Sequence, residues 1–273
     1  MCELFALSSR HPATVRLSLE EFSRHGGSTG PHKDGWGIAW YEGGDVRLVK
    51  EPGPAADSAC VRFVQDHPPS STLVLSHIRK ATQGAQTLAN CQPFTRELGG
   101  RMHVFAHNGN LALPRLRVAA TASFRPIGDT DSELAFCALL ERLRAMWLDA
   151  AGVPPFEARW EVVSAFATEL RALGPANFLY ADGEVLFAHG HRRMHGTEGI
   201  RPPGLHLIER HCPAGEHSWA APGMAIGSNA GEQRVMLAAS VPLTHEPGWQ
   251  ALGAGELVAA RGGEILRRVT AQG

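Results

Sequence analysis

The chain has 273 residues, 44% of them hydrophobic, with 26 Lys and Arg against 27 Asp and Glu and a formal net charge of −1. That length and apolar content can bury a large core, and no linker divides it, so a single domain over residues 2–273 is expected. Balanced charge leaves no electrostatic footprint for nucleic acid or an anionic membrane. No apolar run approaches a membrane span and no basic-then-apolar leader opens the chain, so the reading is cytoplasmic, with no nucleic-acid or membrane partner.

The first element in chain order is Glu3-Leu4-Phe5-Ala6-Leu7, a short buried strand that carries Cys2 at its end. Removal of Met1 would give Cys2 both a thiol and a free α-amine. A thiol of pKa about 8.5 is a weak nucleophile while protonated, and an amine of pKa about 7.7–8.0 can take its proton near neutral pH. Nucleophile and base then share one residue, the logic of N-terminal nucleophile catalysis. Ser18-x-x-Glu21 predicts a capped helix with Leu17, Leu19 and Phe22 on its apolar side, and His25–Gly30 a glycine-rich loop near Cys2 without the Gly-Lys-Ser/Thr of a phosphate loop.

Trp36–Tyr41 and Val46–Val49 predict a hairpin around Glu42-Gly43-Gly44-Asp45. Thr72–His77 reads as a strand running into the Arg79 loop, and Met102–His107 as another running into Asn108-Gly109. Taken alone, Asn108-Gly109 also suits a type I′ turn, the commonest use of that dipeptide. Leu134, Cys137, Leu140, Leu143 and Trp147 keep a helical spacing, and Thr130-x-x-Glu133 supplies a capping box with Asp131 in the first turn. Trp160–Leu173 predicts a second helix ending at Gly174-Pro175, and Ala176–Phe187 a hairpin turning at Asp182-Gly183. Strands, then paired helices, then more strands make the fold class α+β.

Four segments occur in a telling order: Cys2; Ser76-His77-Ile78-Arg79-Lys80-Ala81-Thr82; His107-Asn108-Gly109-Asn110; and Gly128-Asp129-Thr130-Asp131-Ser132-Glu133. Together they resemble the class II glutamine amidotransferases, which share an N-terminal Cys, H-x-R-x-A-T, H-N-G and T-D-[ST]-E. Met1-Cys2-Glu3-Leu4, the run from Gly30 through Asp34-Gly35-Trp36-Gly37, and Pro93–Leu98 bring the chain nearer the small stand-alone members of the YafJ type. Ala239–Thr244, Trp249 and Gly255-Glu256 resemble the family's closing strands more loosely.

The resemblance implies a four-layer αββα sandwich of the N-terminal-nucleophile hydrolase type, with two stacked, mainly antiparallel sheets flanked by helices. It also implies roles. Cys2 is the nucleophile, and Asn108 and Gly109 furnish the oxyanion hole, one from a side-chain amide and one from a backbone N–H. Arg79 grips the substrate α-carboxylate and Asp131 its α-ammonium, a pairing suited to a zwitterionic amino-acid head. Thr82 and Gln83 line the same pocket, while Asp34 and Trp36 shape the floor under Cys2. Gln83 and Gln92 stand where members often carry His, and Val241 replaces a frequent acidic residue.

The implied reaction is hydrolysis of the glutamine γ-carboxamide through a Cys2 thioester, releasing ammonia and glutamate, with no cofactor and no metal. A γ-glutamyl amide hydrolase similar to the enzyme of ergothioneine synthesis is one alternative, and a non-catalytic glutamine-binding subunit or sensor is another. The expected partner is a small-molecule substrate, and because the chain has no room for a second catalytic domain, an ammonia acceptor is either bound by a separate protein or does not exist. Five widely spaced cysteines without C-x-x-C indicate neither a disulfide framework nor a zinc ribbon, and the spacing of His189, His191 and His195 fits no standard metal site.

Overall fold

A computed structural model describes residues 2–15, 32–112, 122–213, 218–221, 224–227 and 231–270. Among these, two antiparallel sheets stack face to face. The first contains β1 (Glu3–Val15), β2 (Trp36–Glu42), β3 (Asp45–Glu51), β4 (Ser70–Ile78), β11 (His206–Cys212), β14 (Gln233–Ala239) and β15 (Gln250–Ala251), ordered β15-β11-β14-β1-β4-β2-β3. A small ribbon of β12 (Ser218–Ala221) and β13 (Met224–Gly227) joins it along β1. The second sheet is ordered β17-β16-β8-β7-β6-β5, from β5 (Phe94–Leu98), β6 (Arg101–Gly109), β7 (Ala176–Ala181), β8 (Leu186–Gly190), β16 (Glu256–Arg261) and β17 (Glu264–Val269). A two-residue pair, β9 (Arg193–Met194) with β10 (Ile200–Arg201), completes the strands.

Side-chain alternation builds the layers. Leu4, Ala6, Leu73 and Leu75 of the first sheet face Val104, Ala106, Leu179 and Val258 of the second in a shared inner core. The outer face of the second sheet carries α2 (Asp131–Asp149) and α3 (Phe156–Leu173). Phe105 of β6 stacks on Phe136 of α2 at 5.4 Å and on Phe178 of β7 at 5.6 Å, so β6 is clamped between helix and sheet. The outer face of the first sheet packs Phe5, Leu7 and Ile38 against Val61 and Val64 of the short α1 (Ala59–Asp66). Helices outside two antiparallel sheets make this the expected α+β sandwich.

Several expected elements differ in extent. β1 runs to Val15 rather than stopping at Leu7, with a register shift between Ser8 and Ala13 in its pairing with β4. α3 begins at Phe156, four residues before the apolar spacing signals it, because Pro155 fixes the preceding backbone (φ −65°-type conformation, here −54°) and starts the turn. Thr130 caps α2 by accepting from the Glu133 N–H at 3.3 Å, yet Glu133 does not return the bond. Its carboxylate instead accepts from the Gly128 N–H at 2.7 Å and pairs with Arg96 at 2.5 Å, making half of the expected capping box. The hairpin expected at Asp182-Gly183 forms as β7–β8, pinned by Arg159 of α3 donating to Asp182 at 2.8 Å and Glu184 at 2.6 Å. The capping box at Ser18–Glu21 and the loop at His25–Gly30 lie outside the described residues.

Candidate active site

The quoted motifs converge because each ends a strand or opens a helix at the same rim of the sandwich. The β1–β4 ladder closes with Glu3 opposite Ile78, and β2 adds Trp36 opposite Ile78 on the far side. One step further, Cys2 lies beside the segment Arg79-Lys80. Its thiol accepts from the Lys80 N–H at 3.4 Å and donates to the Lys80 carbonyl at 3.5 Å. From the second sheet the end of β6 brings His107, Asn108 and Gly109, and the first turn of α2 brings Asp131 and Ser132. These line one cleft together with Arg79, Thr82, Gln83 and Gln92. All seven residues expected at the site therefore border the cleft or, for Asn108, its wall against Cys2.

Asn108 is fully buried, and its Nδ2 donates to the Cys2 carbonyl and, weakly at 3.5 Å, to the Ser240 hydroxyl. Asn108 and Gly109 pair with Asn177 and Ala176 across β6 and β7, so this dipeptide continues a ladder and is no hairpin turn. Gly109 must be glycine for contact reasons: a Cβ there would collide with the Pro175 carbonyl and come within 2.7 Å of His107 Nε2. Asn177 fixes the same strand end, donating from Nδ2 to the carbonyls of Asn108 and Arg192, both at 2.9 Å.

Arg79 is 3% exposed, and its terminal N–H groups are all committed. Nη1 donates to the carbonyls of Asp34 and Ala85, and Nη2 to those of Gln83 at 2.8 Å and Gly84 at 3.0 Å. The guanidinium thus folds the 79–85 loop around itself at the cleft wall. Asp34 assists from below, accepting from the Ala81 N–H at 2.8 Å, so its place is in supporting this loop. Trp36 is buried in the strand and donates from its indole to Glu51 at 3.2 Å. Gln83 reaches across the mouth to Asn110, while Thr82 is exposed.

Asp131 faces Arg79 from α2. Its Oδ2 accepts from the Leu111 N–H at 2.7 Å and its Oδ1 from the Ser132 N–H at 2.8 Å, which compensates a nearly complete burial. Burial pushes the Cys2 thiol above its ordinary pKa and Asp131 adds to this, while the Lys80 N–H and the Arg79 charge oppose it. The resting thiol therefore needs a base. Burial also lowers the pKa of His107, Asp131 works against that shift, and Nδ1 sits 2.9 Å from the Ser132 hydroxyl.

Ser132, Ser240 and Asn177 carried no role in the sequence reading, and Gln92 entered it only as a departure from the family's His. Gln92 and Ser132 border the cleft, and Ser240 and Asn177 support Asn108 from behind. Ser240 also accepts from the Leu4 N–H at 3.0 Å, and Arg193 donates to its carbonyl at 2.8 Å. The histidines at 189, 191 and 195 do not converge on a shared centre: His189 contacts the Glu256 carbonyl at 3.0 Å and His195 the Pro203 carbonyl at 3.0 Å. Among the described residues no group of three His, Cys, Asp or Glu is placed to hold a metal, and no helix is long and apolar enough to cross a membrane.

The family model described as class II glutamine amidotransferases matches residues 1–272. The chain belongs to the class II glutamine amidotransferases. It is 37% identical over 257 residues to "Putative glutamine amidotransferase YafJ" of Escherichia coli (strain K12), an alignment covering 94% of this chain and 96% of the relative. A Haemophilus influenzae relative, "Putative glutamine amidotransferase", is 34% identical over 98% of this chain and 87% of its own. Among solved structures, a predicted glutamine amidotransferase from Pseudomonas aeruginosa PA01 superposes with a TM-score of 0.69 at 33% identity, covering 97% of this chain and 99% of that one. Glutamine phosphoribosylpyrophosphate amidotransferase from B. subtilis superposes at 0.59 with 14% identity, spanning 98% of this chain and 48% of that chain, a likeness of fold.

Proposed function

We propose that this class II glutamine amidotransferase hydrolyses the γ-carboxamide of glutamine through a thioester on Cys2, after removal of Met1 frees the Cys2 amine. The observation that carries the reading is the placement of the Cys2 thiol between the Arg79–Gln83 loop, the end of β6 and the Asp131 turn, with Asn108 hydrogen-bonded to Cys2 itself. The amine takes the thiol proton as sulfur attacks the amide carbon. Asn108 Nδ2 and the Gly109 N–H stabilise the oxyanion. The proton passes to the departing nitrogen, ammonia leaves, and water then cleaves the thioester to glutamate.

Arg79 and Asp131 give the cleft one cationic and one anionic wall, matched to the α-carboxylate and α-ammonium of a free amino acid. Thr82 and Gln83 border the same space. Ammonia passes either to solvent or to an acceptor held by a separate protein. Steady release of ammonia and glutamate from glutamine by the purified protein, lost in Cys2→Ala, tests the reading. No release from glutamine by the intact protein would overturn it.

A further inference from the structure

β5 and β6 pair with Phe94 opposite Phe105, and the same antiparallel register carried two residues outward sets Gln92 opposite His107. Residues of a hydrogen-bonded antiparallel pair exchange both N–H···O bonds. At this position the backbone of Gln92 does not make the exchange, because its carbonyl is turned onto Gly37 of the first sheet. The side chain of Gln92 makes the exchange instead. Its Oε1 accepts from the His107 N–H at 2.6 Å, and its Nε2 donates to the His107 carbonyl at 3.2 Å. A primary carboxamide has the same donor and acceptor as a peptide group, so it completes the pair that the backbone omits.

The backbone of Gln92 is spent elsewhere. A Cβ on Gly37 would collide with the Gln92 carbonyl, and one on Gly35 would lie 2.7 Å from Cys91 Sγ. The Gly35-Trp36-Gly37 run therefore lets the 91–92 segment settle onto the first sheet while the Gln92 side chain reaches the second. Gln92 is 4% exposed and Asn108 is the next residue after the clamped His107.

Resting on the oxyanion role of Asn108 and Gly109 given above, we infer that Gln92 is a positioning residue that acts as a surrogate peptide group, extending the β5–β6 ladder by one pair to hold the oxyanion-forming end of β6 in place. Without it, the last pair before Asn108 is held from the β7 side alone. A displacement there on the order of 1 Å costs about 10²-fold in rate. Substrate affinity, set by Arg79 and Asp131 across the cleft, changes little.

The test combines kinetics with an isosteric variant. In Gln92→Ala, kcat for ammonia release from glutamine should fall by about 10²-fold with KM held within about twofold. Placed in an Asn108→Ala background, the same change should cost less, because only the Gly109 N–H is then left to misplace. Gln92→Glu keeps shape and acceptor but donates only when protonated. Its kcat relative to the unmodified protein should therefore rise as pH falls. Full activity of Gln92→Ala, equal penalties in both backgrounds, or a pH-independent ratio for Gln92→Glu would each overturn the inference. Should Gln92→Ala fail to fold, the Gln92→Glu profile decides alone. Should the unmodified protein release no ammonia, the functional reading fails separately, and amide exchange at His107 still reads the clamp: faster exchange in Gln92→Leu, which removes the acceptor at similar volume, supports it, and an unchanged rate refutes it.

Discussion

Truncating Asn108 to Ala separates the job that the structure gives its amide, holding the Cys2 carbonyl, from the oxyanion job proposed for it. Nδ2 of Asn108 holds the Cys2 carbonyl with one hydrogen, and the other faces the Ser240 hydroxyl at 3.5 Å, a distance at which little energy is stored. On the proposed mechanism, that weakly engaged second N–H is the one that serves the oxyanion. Losing one oxyanion donor lowers kcat by about 10²–10³, or about 2.7–4 kcal/mol of transition-state stabilisation. Losing the bond to Cys2 leaves a buried carbonyl unpaired, worth about 1–3 kcal/mol of folding stability. Steady-state ammonia release gives the first quantity and urea unfolding the second. Alkylation of Cys2 by a small neutral reagent reports whether the thiol has moved, and its rate should stay within a few-fold of the unmodified protein. A variant that keeps kcat within tenfold while KM rises would refute the oxyanion assignment, and one that loses activity only in proportion to lost Cys2 alkylation would reassign Asn108 to holding the nucleophile.

Intact-mass measurement should show a chain beginning at Cys2, and a fully active population that retains Met1 would remove the amine from the mechanism. Arg79→Ala should raise KM and also speed alkylation of Cys2, since the guanidinium that folds the 79–85 loop is lost; a change in kcat alone would place the residue elsewhere. N-acetylglutamine should be cleaved at least about 30-fold less efficiently than glutamine, because a neutralised ammonium leaves Asp131 buried without its partner, a cost of about 2–5 kcal/mol; comparable kcat/KM would refute the head-group pairing. Burial lowers the pKa of His103 to about 4 and of His189 to about 3, from an ordinary 6.5. The unfolded chain takes up these protons below pH about 6.5 and the folded chain does not, so stability is full above that pH and falls toward pH 4 by up to about 1.4 kcal/mol per unit per histidine. Equal urea midpoints at pH 7 and pH 5 would refute this.

The parts of the site legible in the sequence were those where chemistry restricts residue type. A nucleophilic thiol, a fork of donors and a helix-opening carboxylate have few substitutes, and Cys2, Arg79 and Asp131 do meet at one cleft. The elements around them were legible through turn residues, which set the β2–β3 and β7–β8 hairpins, and through helical spacing, which set the faces of α2. What stayed hidden depends on pairing over long separations. Ser240 meets Leu4 across 236 positions and Asn108 across 132, and no local pattern at Ser240 announces either contact. Gln92 stood in the sequence only as a departure from the family's His, and the β5–β6 register shows its amide spent on His107. The length of β1 escaped because its register shift at Ser8–Ala13 breaks the alternation that would have marked a longer strand.

Arg79 is where the sequence reading and the geometry require each other. A guanidinium read in isolation offers five donors to a carboxylate, yet here four carbonyls already occupy its two terminal nitrogens. The cleft beside it encloses ≈ 20 Å³, room for about one water rather than an amino acid. On the proposed reading, substrate cannot simply be added to this arrangement. A carboxylate approaching Arg79 replaces neutral carbonyl partners with a charge-assisted pair, roughly twice as strong per bond. Three of the four carbonyls that hold it belong to Gln83, Gly84 and Ala85, the segment that also bridges the mouth through Gln83 and Asn110. On that proposal the bond that recognises the head group and the movement that makes room for it are one event, and an amide lacking the α-carboxylate should lose entry as well as affinity.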